Sequence, residues 1–445
     1  MLRKYDIKDA QNSILKRNSL LDTPMTDNDL QNLKKIFPEA SSRQEAVKSI
    51  LDDIKLLQDD AIIKWTAILD KIDISNSIET PKAELIKAME SLTEDERIAF
   101  STAISRVEKF HKLQPIKTWT TDQLGGKVGQ IIQPIDRVGI YIPGGSAPLP
   151  SSVIMSVVPA IVAGCKDIVV TSPPGKNKLP NRYILAVLGM LCSEKSNIRC
   201  FNIGGAQAIG AMAYGTRTVP KVNKIFGPGN IFVSIAKKEV YGEVGIDGIA
   251  GPTEAMIFAD ETASASIICA DLLAQAEHDR LAVPILITTN ESLAKEVQTQ
   301  YNSQNSDLSK KSIISNSITQ QGGIVVISTV EKAIEVINEF APEHLSIIAK
   351  NSNEIIPKIR NAGGIFVSEH SCEVLGDYIA GPSHVMPTSG FAKFNSPLSV
   401  LDFVKITSLV DLDKKTSLTI APLANVIANV ENLTAHAKAA KLRCI

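Results

Sequence analysis

What most limits the folds open to this chain is a rhythm of short β-branched runs, each closed by glycine or proline and each followed by helix-compatible sequence. Residues 138–142 run into Pro143-Gly144-Gly145, and 167–171 into Ser172-Pro173-Pro174-Gly175. Residues 198–203 run into Gly204-Gly205, and 222–226 into Gly227-Pro228-Gly229-Asn230. Strands separated by helices cannot pair as hairpins, so they are predicted to form a parallel sheet. Ligands of such sheets bind beyond the carboxyl ends of the strands, where these glycine turns lie. A second series follows at 255–259, 283–288, 323–327, 345–349 and 364–367. No sequence identity joins the two series at the period of the repeat, yet the shared rhythm predicts two related α/β units.

The flanks read differently. Residues 1–35 are polar and weakly amphipathic, an arm that needs another surface to pack on. From 44 to 112 the pattern is helical, and Leu51, Ile54, Leu57, Ala61 and Trp65 make an apolar stripe expected to lie against a sheet. After 381 the α/β rhythm stops. A stretch rich in proline, glycine, serine and phenylalanine leads to a strand at 404–412 and to helices at 418–430 and 433–442, which reads as a tail domain.

At 445 residues, 44% hydrophobic and 21% charged, the chain has the composition of an ordinary globular protein of several domains. A net charge of -1 gives no electrostatic reason to expect nucleic acid or an acidic membrane as partner. The most apolar run, 153–162, is broken by Ser156 and Pro159, and the first residues lack an apolar signal core. A soluble, cytoplasmic protein acting on a small molecule is expected. The six cysteines form no CxxC pair, so buried reduced thiols are expected rather than disulfides or a zinc knuckle.

Four stretches could carry chemistry. In Ala341-Pro342-Glu343-His344 an acid and an imidazole follow a proline that must end the helical pattern at 330–340, which leaves Glu343 and His344 on a junction suited to proton transfer. Gln275 and His278 stand three residues apart at the end of a helical stretch, on one face. Asp377 and His384 lie in a turn-rich loop, and Glu431 and His436 on a helix of the tail. Brought together, Gln275, His278, Asp377 and His436 would be an N/O ligand set without thiolate, suited to zinc, cobalt or manganese in an open catalytic site. Spacing alone does not bring them together. The turns at Gly144-Gly145-Ser146 and Gly227-Pro228-Gly229-Asn230 could offer backbone N–H groups to a pyrophosphate, although G-x-G-x-x-G occurs nowhere. His111 and His370 read as solvated. A metal-dependent hydrolase with Glu343 as base, a thiol-dependent aldehyde dehydrogenase and a non-catalytic binding protein are the competing classes.

In order and combination these stretches resemble the histidinol dehydrogenase family from about residue 44 to 443. The carrying motifs are Tyr141-Ile142-Pro143-Gly144-Gly145-Ser146-Ala147-Pro148-Leu149, Gly204-Gly205-Ala206-Gln207-Ala208, Gly227-Pro228-Gly229-Asn230, Ala250-Gly251-Pro252-Thr253-Glu254, the run 271–278 ending in Gln275-Ala276-Glu277-His278, Ala341-Pro342-Glu343-His344-Leu345, Gly376-Asp377-Tyr378, His384-Val385-Met386-Pro387-Thr388 and Leu433-Thr434-Ala435-His436. The resemblance implies oxidation of L-histidinol through L-histidinaldehyde to L-histidine with two NAD. It implies one zinc per subunit on Gln275, His278, Asp377 and His436, with Glu343 and His344 as the acid/base pair. NAD contacts fall on Tyr141, Gln207 and Asn230, and substrate contacts on Thr253, Glu431, His344 and the zinc ligands. It also implies a homodimer whose tail completes the partner's site. Thr253 stands where the family often has serine, Met386 where leucine is usual and Ser383 where asparagine is common; none removes a catalytic group.

The expected fold is therefore α/β, with two incomplete, doubly wound Rossmann-like domains, a helical N-terminal arm and a small C-terminal tail domain. The expected division is 1–35 for a dimerisation arm, 36–135 with 253–380 for the domain carrying the metal and acid/base residues, 136–252 for the NAD-binding domain, and 381–445 for the tail.

Overall fold

The computed structural model describes residues 2–17, 25–144, 149–192 and 196–444. In the 141–149 motif Gly145, Ser146, Ala147 and Pro148 lie outside the described residues. In chain order the strands are β1 (Lys4–Tyr5), β2 (Trp119–Thr121), β3 (Lys127–Pro134), β4 (Arg137–Tyr141), β5 (Asp167–Thr171), β6 (Asn197–Phe201), β7 (Lys224–Phe226), β8 (Gly245–Ile246), β9 (Glu254–Ala259), β10 (Val283–Thr288), β11 (Gly323–Val326), β12 (His344–Ile348), β13 (Gly364–Val367) and β14 (Val404–Asp411).

Both strand series form parallel sheets, and the two share one topology. The first is ordered β6-β5-β4-β7-β8 and the second β1-β11-β10-β9-β12-β13. In each, the first strand of the series is central, the next two extend to one side and the last two to the other. This is a Rossmann-like order lacking its sixth strand. The order in which successive strands are added reverses between β4 and β7 in one sheet and between β9 and β12 in the other, which makes these the two switch points.

The Arg43–Lys112 segment corrects the expected division. Its helices pack on the unit of the five-stranded sheet, not on the second unit with which the sequence reading joined residues 36–135. The helices Arg43–Leu57 and Asp59–Leu69 use Leu51, Ile54, Ala61 and Trp65, as the stripe predicted, but their partners are the helices Gly205–Tyr214 and Ile231–Val240 rather than a sheet. The Gly205–Tyr214 helix is buried all round from Ala206 to Ala213, so covering the sheet leaves a second apolar face that needs its own cover. Gln58, at φ +53°, breaks the stripe and leaves Leu57 exposed. The helices Lys82–Glu90 and Glu94–Lys112 likewise cover Arg182–Leu191 and Pro150–Ala163.

Strand β1 pairs with β11, Leu2 is buried, and Arg17 ion-pairs with Glu254 while donating to the Phe340 carbonyl. The arm thus braces its own chain's second sheet beside Glu254. In the tail, β14 runs antiparallel to β3 along its full length, and β3 to β2, a third sheet that the alternation did not foretell. The Lys414–Val430 and Thr434–Lys441 helices pack on each other but leave Leu423, Val426, Ile427 and Val430 exposed. His111 is a second correction, since it is 1% exposed and pairs with Gln114 instead of standing in solvent. Cys165, Cys200 and Cys269 are free and buried. No described helix is long and apolar enough to cross a membrane.

Candidate active site

The Val330–Phe340 helix stops where proline requires, with Ala341 in the left-handed region at φ +53°. The chain turns at once into β12, whose first residue is His344, so the Glu343-His344 pair sits at the amino end of a central strand. The usual rule puts ligands at carboxyl ends. A pocket lined by residues of both units accounts for the exception. Pro228, Lys237 and Asp247, with Ser151 and Ser152, come from the carboxyl edge of the five-stranded unit; Thr253, His278, Glu343, His344 and Asp377 come from the amino edge of the other.

Glu343 and His344 are both buried. Glu343 Oε2 accepts from the Thr253 hydroxyl (2.7 Å) and the Glu254 N–H (2.9 Å), yet burial outweighs these and pushes the carboxyl up to about 7. His344 has an acceptor at each ring nitrogen: the Glu254 carbonyl 3.1 Å from Nδ1, and Asp377 Oδ1 3.2 Å from Nε2. A neutral ring can donate to only one of these two oxygens, so the arrangement favours a proton on both nitrogens. Burial pulls its pKa down, but Glu343, Glu373 and Asp377 together push it well above the ordinary range.

Asp377 sits on a turn of π-helix, Gly376–Ala380, rather than in an irregular loop. Burial works against its charge, while His344, His384 and His278 hold the carboxyl below the usual range. His278 is held low by burial, so its imidazole is neutral and able to bind a cation. Of the four groups that the resemblance gives to zinc, His278 and Asp377 share the pocket. Gln275 is fully buried, with its amide oxygen facing the Glu254 N–H (2.8 Å) and its nitrogen facing Glu373 Oε1 (2.7 Å). His436 and Glu431 are exposed on the tail, away from the pocket lining. Among the described residues no three His, Cys, Asp or Glu side chains form a metal-sized group. Within one chain, then, the donor set fits zinc only in part, with a neutral imidazole and a carboxylate in place.

The three residues expected to contact NAD lie at the five-stranded sheet's carboxyl edge. Tyr141 ends β4, and its hydroxyl accepts from the Gly205 N–H (3.3 Å). Gln207 is fully buried beside it in the Gly205–Tyr214 helix. Asn230 caps the Ile231–Val240 helix, its side chain accepting from Phe232 and Val233. Gly227 stands at φ +108°, and a Cβ there would lie 2.1 Å from the Tyr141 carbonyl, so the turn after β7 is built directly onto the end of β4. Its N–H donates to Asp247 and its carbonyl accepts from Lys237, and those two side chains form an ion pair.

Sequence reasoning left His384 without a role and missed Glu373 and Lys237. His384 lines the pocket, with Nδ1 2.9 Å from the Asp377 carbonyl and Nε2 3.3 Å from Ser152 Oγ. Glu373 is 3% exposed behind Gln275, and burial pushes it up to about 8. Lys237 is almost fully buried. A charged residue in a polar stretch gives no local sign of burial, so only the assembled fold singles these out.

Comparison with known proteins matches residues 35–444 to the family model described as histidinol dehydrogenase. A histidinol dehydrogenase of Oceanobacillus iheyensis is 44% identical over 398 residues, covering 89% of this chain and 92% of that protein. One of Clostridium acetobutylicum is 44% identical over 400 residues, covering 90% and 92%. The crystal structure of histidinol dehydrogenase from Elizabethkingia anophelis is 35% identical and superposes with a TM-score of 0.89, covering 99% of this chain and 98% of that one.

Proposed function

The chain belongs to the histidinol dehydrogenase family, and on that premise we propose that the pocket between its two sheets oxidises L-histidinol to L-histidine in two steps. As a member of that family it is an NAD-dependent oxidoreductase of histidine biosynthesis. The observation that carries the reading is the buried Glu343-His344 pair beside Thr253, facing the edge of the other sheet where the glycine turns lie.

In the first step the alcohol gives a hydride to NAD and its proton to His344; in the second, water adds to the aldehyde and a second hydride leaves for a second NAD. Glu343, raised to about 7, exchanges a proton with water near neutral pH and is the group that activates it. His344 can take that proton only as the neutral imidazole, at a ring nitrogen that has first given up its own proton and, at Nε2, its contact with Asp377. When bound, zinc would supply a template that holds the substrate through its nitrogen atoms. His278 and Asp377 would hold it, with Gln275 after a turn of its amide and the partner subunit's His436. Thr253 and the partner subunit's Glu431 would contact the substrate, and Tyr141, Gln207 and Asn230 the NAD.

A homodimer with a shared site agrees with the exposed apolar residues of the tail helices and with the distance of Glu431 and His436 from their own pocket lining. We place the enzyme in the cytoplasm, with no nucleic acid or membrane as partner. A thiol-dependent aldehyde dehydrogenase fits less well, since no cysteine lines the pocket and burial pushes Cys165 and Cys200 up to about 12. The test is NADH formation with L-histidinol, run with and without chelator. Turnover that needs both NAD and the metal is expected, and His278→Ala or Asp377→Ala should lose zinc and activity together. Full zinc content in both variants would remove the ligand set, and turnover without NAD would favour a hydrolase.

A further inference from the structure

A polar cluster behind the Gly204-Gly205 turn holds a group that this chemistry does not use. Asp70, at which the Asp59–Leu69 helix ends, is half-buried and accepts one hydrogen bond from Gln207 Nε2 (3.3 Å). Burial pushes its carboxyl up to about 6, and its charge bears on the Tyr141 phenol. On the far side of the same amide, Gln207 Oε1 is fully buried without a hydrogen-bond partner among the described residues. That oxygen lies against the turn, 2.6 Å from where a Cβ on Gly205 would stand. Asp70, Gln207 and Tyr141 thus surround the first turn of a helix whose N-cap, Gly204, offers no side chain to its N–H groups.

We propose that Asp70 sets the preference for NAD over NADP, its carboxylate accepting from the diol of the adenosine ribose and excluding a 2′-phosphate. The proposal rests on the reading that NAD binds at this sheet edge. An ionised carboxylate has about four acceptor sites, of which Gln207 uses one. A ribose diol brings two O–H donors, which the remaining acceptor sites of the half-buried Asp70 carboxylate can take. A 2′-phosphate would instead set anion against anion in a partly desolvated place. In the common dinucleotide fold an acid about 20 residues beyond the glycine turn does this work. Here the G-x-G-x-x-G motif is absent, and the helix layer that covers the Gly205–Tyr214 helix supplies an acid from outside the sheet.

The test is titration calorimetry of wild type, Asp70→Asn and Asp70→Ser with NAD and with NADP, backed by steady-state rates. Wild type is expected to bind NADP at least ~10-fold more weakly than NAD. Asp70→Asn keeps an oxygen for Gln207 but loses the charge, so the preference should fall by about 10-fold or more; Asp70→Ser also opens room and should fall at least as far. An unchanged preference in either folded variant, or equal binding of the two nucleotides to wild type, overturns the role of Asp70. Wild type that binds neither nucleotide overturns the cofactor reading itself.

Discussion

His344 meets an acceptor at each ring nitrogen, and Glu343 is buried against a threonine hydroxyl and a backbone N–H, so the two residues have the distinct environments that the proposed division of work requires. If the proposed roles hold, Glu343→Gln leaves the first oxidation its base but removes the group that activates water. The aldehyde-to-acid step should slow by roughly 10²–10⁴-fold while the alcohol step changes less; histidinaldehyde supplied directly is the substrate that measures it, and a native rate would be fatal to the assignment. Glu373 gives a pH prediction. Its carboxyl is raised from 4.5 to about 8 by burial, so the folded protein holds a proton that the unfolded chain releases. Its contribution is complete below about pH 4.5, and stability falls as pH rises toward about 8. Glu373→Gln cannot ionise, and its melting temperature should fall less between pH 5 and 8 than that of the wild type. Parallel melting curves across that range would show that Glu373 is not protonated in the fold.

Among the elements, the turn after β7 is held at both of its backbone groups: the Gly227 N–H by Asp247 and its carbonyl by Lys237. Lys237→Met breaks this buried pair from one side and strands the Asp247 carboxylate, which should cost about 3–5 kcal/mol in urea unfolding. Adding Asp247→Asn should restore part of that loss, and a double variant less stable than Lys237→Met would contradict the account. Such clamps are illegible in sequence, because a lysine and an aspartate ten residues apart look the same buried or solvated. The strands were legible where a β-branched run of several residues ends in glycine or proline, as at β5 and β10. They were not legible where two residues suffice, as at β1 and β8, whose pairing depends on a neighbouring strand and not on their own composition. The stripe on the Arg43–Leu57 helix showed that it had a buried face but not what lay opposite, so the segment was joined to the wrong unit. In the site, residue types carried the reading of Glu343, His344, His278 and Asp377, whereas the partners of His344, the place of His384 in the pocket lining and the burial of Glu373 came only with the fold.

The whole molecule leaves one mismatch: two residues expected to complete the pocket, Glu431 and His436, stand exposed on helices that also expose Leu423, Val426, Ile427 and Val430. Four neighbouring apolar side chains on one helix in water are unfavourable, and a second copy of the chain can cover them under twofold symmetry. A shared site requires that pairing to set each tail at the other subunit's pocket. His344→Asn and His436→Ala each inactivate the homodimer if both residues serve catalysis. Unfolded together and refolded as a mixture, they pair at random, and about half of the dimers are mixed. With a shared site, a mixed dimer holds one pocket carrying both lesions and one carrying neither, so about a quarter of native activity should return. With a site built from one chain, every pocket carries a lesion and nothing returns. Mass spectrometry of the intact dimers establishes that mixed pairs are present, and an inactive mixture that contains them would place His436 outside the partner's pocket.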